Sequence, residues 1–206
     1  MQNKSVVVVV DFDETLVIEN TLLLLYKISE SASLFKAVAF SFIKFRWINV
    51  GLHRAIKEEM YLNILRGKTE KQLLVIAGKL SEAVNINEAV WKRVNKLTDN
   101  GARLVIATAS LVTVVEEILR IKEVSVDEVI GTTAKIISGT KEYSGELNNG
   151  ECEKEEKRER VINIMKQNYI NHYIFGFGNL PADREMLKIV DEGYVVNGAV
   201  VTPFIY

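Results

Sequence analysis

The chain has 206 residues, of which 48% are hydrophobic and 26% are charged, so it can build one sizeable core and has the composition of a soluble globular protein. Its formal net charge of −1 gives no general electrostatic argument for binding nucleic acid. The single cysteine, Cys152, excludes an internal disulfide and a cysteine-based zinc site, and a reducing, cytoplasmic setting is expected.

The first predicted element is a strand, Val6–Val10, which is apolar at every position, as in a strand covered on both faces. It ends at Asp11 and Asp13, whose side chains point to the same side if the backbone is extended. Two such carboxylates repel each other unless a cation such as Mg²⁺ or a shared proton relieves them. On the pair alone, an Asx turn that caps the next helix is an equally good interpretation.

The following block, from about residue 20 to residue 83, has only helical patterning, with three plausible N-caps: Asn20, Ser33 and Thr69. Because it is inserted directly after the first strand, we expect residues 18–83 to form a helical cap subdomain. A cap of this kind can exclude water from a site and select the substrate.

The most apolar part of this block is Ser33–Gly51. Three basic residues interrupt it, so no membrane span is expected: Lys36, Lys44 and Arg46. Its aromatic residues could line an apolar substrate pocket, although such residues more often form a core or a partner interface: Phe35, Phe40, Phe42, Phe45 and Trp47.

The rest of the chain alternates between predicted helices and strands. The predicted strands are Arg103–Ser110, His172–Asn179 and Tyr194–Asn197. The predicted helices are Asn87–Asp99, Val112–Ile121, Glu155–Gln167 and Ala182–Asp191. This order predicts an α/β fold, with a Rossmann-like, doubly wound, mostly parallel sheet built from residues 1–17 and 84–206. The ligand crevice is expected at the carboxyl ends of the strands.

Four segments resemble, in order, the motifs of the haloacid dehalogenase-like hydrolase superfamily: DFDETL, LVIATAS, GELNNGECEKEEKRERV and GFGNLPADREML. The helical block lies between the first and second motifs, as in the phosphoserine phosphatase-like branch. The resemblance covers nearly the whole chain. It implies a Mg²⁺-dependent phosphatase that acts on a small phosphorylated metabolite.

The first two motifs imply specific roles. Asp11 resembles the nucleophile that forms an aspartyl-phosphate, and Asp13 the general acid and base, which also binds Mg²⁺ through its backbone carbonyl. Thr108 is expected to bind the phosphoryl oxygens, aided by the backbone N–H groups of Ala109 and Ser110. The alternative is that Thr108 and Ser110 are only N-caps.

In the third motif, the resemblance assigns to Lys157 the neutralisation of charge on Asp11 and on the phosphoryl group. Lys154 is the other candidate for this role. Either lysine could instead be a solvated residue on an exposed helix face. The spacing from Cys152 favours Lys157.

The fourth motif departs from the family pattern. Asn179 stands where a metal-binding Asp is expected, and Asp183 follows as the remaining acidic ligand. An amide oxygen can bind Mg²⁺ but brings no negative charge, so weaker Mg²⁺ binding is expected than in relatives with Asp. A phosphate-binding or interaction protein with poor turnover is the alternative function, and a phosphotransferase is another.

The cap argues against phosphoserine as the substrate. Phosphoserine phosphatases carry a Glu nine positions after the nucleophile, where this chain has Asn20, with Glu19 beside it. The DFDET segment also resembles the first motif of phosphoethanolamine/phosphocholine phosphatases, so an amino-alcohol phosphate is an alternative substrate.

Overall fold

Seven strands form one sheet in the structure, a computed structural model in which residues 5–29 and 52–205 are described. In chain order they are β1 (Val6–Val10), β2 (Arg103–Leu111), β3 (Glu128–Ile136), β4 (Tyr143–Asn148), β5 (Tyr173–Gly178), β6 (Glu192–Asn197) and β7 (Val200–Pro203). Their order across the sheet is β4-β3-β2-β1-β5-β6-β7. The five inner strands run parallel, and only β4 and β7 at the two edges pair antiparallel. The predicted α/β fold with a mostly parallel sheet is therefore confirmed.

Strand β1 lies at the centre of this sheet, between β2 and β5. Its residues Val7 to Val10 are fully buried. Val8 and Val10 belong to one hydrophobic cluster, and Val7 and Val9 belong to the cluster on the opposite face. The continuous valine run thus follows from burial on both faces.

Seven α-helices lie among the described residues: α1 (Thr21–Ile28), α2 (Leu52–Leu65), α3 (Glu70–Ala83), α4 (Glu88–Asp99), α5 (Val112–Ile121), α6 (Lys154–Asn168) and α7 (Arg184–Leu187). A short helical turn, Phe12–Leu16, follows β1. Asn20 caps α1 by accepting a hydrogen bond from the N–H of Leu23, and Thr69 forms a capping box with Gln72 at α3. The predicted cap at Ser33 and the aromatic residues of Ser33–Gly51 lie outside the described residues.

The helices of the inserted block pack on the sheet. Tyr26 of α1, Tyr61 of α2 and Leu80 of α3 are buried in the same hydrophobic cluster as Val8 and Val10. The division into a core and a cap over residues 18–83 stays a prediction. In the part of the chain that the structure describes, no helix is long and apolar enough to span a membrane.

The structure differs from the sequence-based elements at three strands and one helix. Strands β3, β4 and β7 were not predicted, because β4 and β7 are edge strands with few buried residues and β3 carries Gly131 and several exposed polar residues. The helix predicted over Ala182–Asp191 is wrong in length and covers only Arg184–Leu187. Its start is delayed because the Asp183 side chain turns back to accept the N–H of Asn179.

Candidate active site

Asp11 and Asp13 follow the carboxyl end of β1. The N–H of Asp11 donates to the carbonyl of Phe177 on β5 at 2.9 Å, which anchors the end of the strand. Both aspartates have extended backbone, with φ and ψ of −67° and 152° for Asp11 and −69° and 134° for Asp13. They line the same cavity, which has a volume of about 300 Å³. The structure therefore places both carboxylates at one cavity.

Lys157 enters the site from the first turn of α6. Its Nζ lies 2.7 Å from Oδ1 of Asp11 and 2.5 Å from Oδ1 of Asp183, and all three side chains are nearly fully buried. Burial alone lowers the pKa of Lys157, but the two carboxylates outweigh it and hold the pKa above its ordinary value. Lys154, the other candidate, is exposed. The side chain that joins the two aspartates is therefore a charged lysine.

Asp13 is held by two donors. Its Oδ1 accepts the N–H of Thr21 at 2.6 Å, and its Oδ2 accepts the hydroxyl of Ser110 at 2.5 Å. Burial raises the pKa of Asp13, although the bonds from Ser110 and Thr21 act in the opposite direction. A carboxyl group that keeps its proton more readily is suited to act as a general acid.

The side chain of Ser110 has contacts that the sequence pattern does not predict. The pattern indicates only a backbone N–H donor or an N-cap at this position, but the hydroxyl contacts both Asp13 and, at 2.9 Å, the hydroxyl of Thr21. The signal was present in the sequence as a hydroxyl two residues after Thr108 at the end of a strand. Only the pairing of β1 with β2 shows which aspartate it reaches.

Ala109 lies at the surface of the cavity, whereas Thr108 is buried and is not part of its lining. Ala109 lines the cavity, and its carbonyl accepts the hydroxyls of Tyr61 and Thr132 at 3.2 and 2.6 Å. Thr108 is fully buried, and its hydroxyl accepts the N–H of Ser110 at 3.0 Å. In this structure Thr108 thus shapes the irregular end of β2 that carries Ala109 and Ser110.

Asn179 and Asp183 form a tight turn after β5. The N–H of Asn179 donates to Oδ2 of Asp183 at 2.9 Å, and the N–H of Asp183 donates to the carbonyl of Asn179 at 3.0 Å. A Cβ at Gly178 would lie 2.6 Å from Cβ of Asp183, so only glycine fits there. Burial and then the charge of Asp11 raise the pKa of Asp183, while Lys157 opposes them. The turn holds Asp183 against Lys157 and places Asn179 at the cavity.

The donors at the site suit Mg²⁺ better than a softer metal. Within residues 5–29 and 52–205, no group of three or more His, Cys, Asp or Glu side chains is arranged to hold a metal ion. Mg²⁺ is commonly bound by only one or two carboxylates, with waters and substrate phosphate completing its shell. Asp11, Asp13 and Asn179 line the cavity and would offer oxygen ligands of this kind. Asp183, whose two oxygens accept from Lys157 and from the N–H of Asn179, is the fourth candidate ligand.

A further part of the cavity lining is formed by contacts between α2 and the loop before α6. Lys57 of α2 donates to both carboxylate oxygens of Glu151 and to Glu153, each at 3.0 Å. Tyr61, one turn further along, lies 3.3 Å from Glu151. These four residues could not be predicted from the sequence, because nothing local links residues 90 or more positions apart.

Comparisons with known proteins agree with this geometry. A family model described as haloacid dehalogenase-like hydrolase matches residues 8–188. No curated protein sequence matches the chain.

Three solved structures are similar to the chain. A protein of unknown function from Bordetella pertussis Tohama I is 16% identical, with a TM-score of 0.72, over 93% of this chain and 89% of that one. A phosphoserine phosphatase, solved as a phospho-aspartyl intermediate analogue, is 17% identical, with a TM-score of 0.61, over 93% and 86%. A HAD family hydrolase from Salmonella enterica subsp. enterica serovar Typhi is 13% identical, with a TM-score of 0.63, over 92% of this chain and 62% of that one. At these identities the likeness establishes a shared fold.

Proposed function

We propose a phosphatase function, from the premise that the chain belongs to the haloacid dehalogenase-like hydrolase family. The proposed reaction is the Mg²⁺-dependent hydrolysis of a small phosphomonoester through an aspartyl-phosphate on Asp11. The observation that carries the proposal is the buried Lys157 between Asp11 and Asp183, together with Asp13, which lines the same cavity as Asp11.

In the first step, Asp11 attacks the phosphorus atom. Its Oδ1 is bound to Lys157, so Oδ2 is the oxygen available to form the new P–O bond. The bond from phosphorus to the ester oxygen breaks, and the proton on Asp13 passes to that oxygen. Lys157 stabilises the negative charge on the transferring phosphoryl group, and its burial strengthens this interaction.

In the second step, a water molecule attacks the phosphorus atom of the aspartyl-phosphate. Asp13, now ionised, takes a proton from the water, and the bond between phosphorus and Asp11 breaks. Ser110 and the N–H of Thr21 stabilise the ionised form of Asp13 through their hydrogen bonds. One carboxyl group thus serves as acid and then as base.

Mg²⁺, when bound, supplies positive charge against the phosphoryl oxygens. The residues that would hold it are Asp11, Asp13 through its backbone carbonyl, Asn179 and Asp183. Ala109 and Lys157 line the cavity and are the proposed phosphate-binding residues. Thr108, the third residue expected to bind phosphate, is proposed to act through the end of β2 that presents Ala109 and Ser110.

The size and lining of the cavity favour a small substrate. A volume of about 300 Å³ is at the lower end of ordinary ligand sites. The inserted helices contribute four apolar residues to its lining, Leu22, Leu23, Ile56 and Met60. Lys57 of α2 and Glu151 add charge to the same lining. The leaving group would lie against this lining.

An assay against a panel of phosphorylated metabolites and p-nitrophenyl phosphate, with and without Mg²⁺, tests the proposal. The panel includes phosphoserine, phosphoethanolamine, phosphocholine and sugar phosphates. We expect Asp11→Asn to lower kcat by at least about a thousandfold, the order of loss when a covalent nucleophile is removed. Asp99→Asn, at an exposed position at the end of α4, is the control and should keep full activity. Turnover that persists in Asp11→Asn, or no turnover on any substrate, contradicts the proposal.

A further inference from the structure

Glu14 follows the two aspartates and has an unusual backbone conformation. Its φ and ψ are 56° and 13°, in the left-handed region, where glycine is favoured over residues with a Cβ. The side chain is exposed and lies at the edge of the cavity that holds Asp11 and Asp13. A glutamate at this position therefore costs backbone energy that its side chain has to offset.

The carboxylate of Glu14 contacts Asn179. Nδ2 of Asn179 donates to Oε2 of Glu14 at 3.2 Å, and both residues line the cavity. A side-chain amide has one nitrogen and one oxygen. Since the nitrogen is directed to Glu14, the oxygen is the atom left to face a cation. The hydrogen bond thus fixes the amide in the orientation that a metal ligand requires.

The charges at the site show why a further carboxylate matters. Counted as formal charges, Asp11 and Asp183 contribute two negative charges and Lys157 between them one positive charge. The neutral side chain of Asn179 contributes none. Glu14, which contacts Asn179, therefore adds the one negative charge that an aspartate at position 179 would have brought.

We propose that Glu14 compensates for the missing acidic residue at position 179, supplying negative charge to the Mg²⁺ site and orienting the amide of Asn179. This inference rests on the proposed Mg²⁺-dependent function. Glu14 acts here as a positioning residue, through Asn179 and through its charge.

Calorimetric titration of MgCl₂ into the full chain, without substrate, tests the proposal. Glu14→Gln keeps an acceptor for Nδ2 of Asn179 but removes the charge, and it should bind Mg²⁺ at least about tenfold more weakly, as for outer ligands of metal sites. Glu19→Gln is the matched control. Its carboxylate accepts from Asn85 at 2.8 and 2.7 Å, and its loss should change the affinity less than twofold.

Asn179→Asp provides the second arm. In the Glu14→Gln background it should restore affinity to within about threefold of the wild type, because it returns the lost charge to the site. A Glu14→Gln variant that binds Mg²⁺ as tightly as the wild type overturns the proposal, as does a double variant no tighter than Glu14→Gln alone.

The readout separates this inference from the proposed function. If the wild type binds Mg²⁺ with the expected dependence on Glu14 but hydrolyses no phosphomonoester, the proposed activity fails and the role of Glu14 stands. If the wild type hydrolyses phosphomonoesters through Asp11 without binding Mg²⁺, the role of Glu14 fails and the nucleophile stands.

Discussion

The hydroxyl of Ser110 donates to Oδ2 of Asp13 at 2.5 Å, across 97 positions of sequence. Strand β2 ends one residue beyond Ser110, and Asp13 lies in the turn after the neighbouring strand β1. The bond orients the carboxyl group that is proposed to protonate the leaving group. Ser110 is therefore expected to affect the chemical step.

Ser110→Ala should lower kcat/KM on the order of tenfold for an alkyl phosphate, a part of the 10²–10⁴-fold that general acid catalysis contributes. With p-nitrophenyl phosphate the loss in kcat/KM should be smaller, because p-nitrophenolate leaves without needing a proton. Parallel kcat/KM measurements on the two substrates check this, since kcat/KM reports the phosphorylation of Asp11 and not the later attack of water. The exposed Ser125→Ala is the control, and equal losses on both substrates would argue against a role through Asp13.

Lys157→Met should abolish activity and destabilise the fold. It leaves Asp11 and Asp183 buried without their shared cation, and breaking such a buried pair costs about 3–5 kcal/mol. Urea unfolding at neutral pH measures the change. Lys154→Met, three residues away on the exposed side of α6, should keep both activity and stability. If Lys154→Met lost activity while Lys157→Met kept it, Lys154 and not Lys157 would be the functional lysine.

Gly178→Ala should displace Asp183. The added methyl group would lie 2.6 Å from Cβ of Asp183, and overpacking of this kind costs about 1–3 kcal/mol. Thermal unfolding should show a lower midpoint, with weaker Mg²⁺ binding. Gly78→Ala, in the interior of helix α3, is the matched control. Among the described residues, the added Cβ would have only Cδ1 of Ile121 within reach, at 4.0 Å. It should stabilise the fold by about 0.5–1 kcal/mol. A Gly178→Ala variant as stable as the wild type would contradict the packing described here.

Lys57 and Glu151 should be energetically coupled. Their side chains are 21% and 11% exposed, so solvent screens their ion pair only in part. A double-mutant cycle with Lys57→Met and Glu151→Gln should give a coupling of about 1 kcal/mol in the free energy of unfolding. KM should rise in Lys57→Met, because α2 loses its tie to the loop before α6. Additive effects of the two substitutions would show that the contact does not stabilise this part of the cavity lining.

The elements that depend on local pattern were predictable from the sequence. The valine run of β1 reports burial on both faces, and Asn20 and Thr69 have the residue types that cap helices. The position of Asp11 and Asp13 directly after a buried strand was also predictable, because both residues follow the valine run within three positions.

The contacts that depend on strand order were not predictable. The hydrogen bond from Ser110 to Asp13 depends on the pairing of β1 with β2. The ion pair between Lys57 and Glu151 depends on the position of α2. The contact of Asn179 with Glu14 spans 165 positions. In each case, residue types alone do not specify the partner, since any exposed Ser, Lys or Glu has many possible neighbours.

Trapping of the covalent intermediate tests the central claim most directly. The enzyme is mixed with a phosphomonoester that it hydrolyses, and the reaction is quenched in acid. Borohydride then reduces the acyl phosphate, which converts a phosphorylated aspartate to homoserine. Peptide mass spectrometry then locates the modified residue. The proposed mechanism predicts homoserine at position 11, in a substrate-dependent amount, and at neither Asp13 nor Asp183. Turnover with no modification at Asp11, or modification at another aspartate, would contradict it.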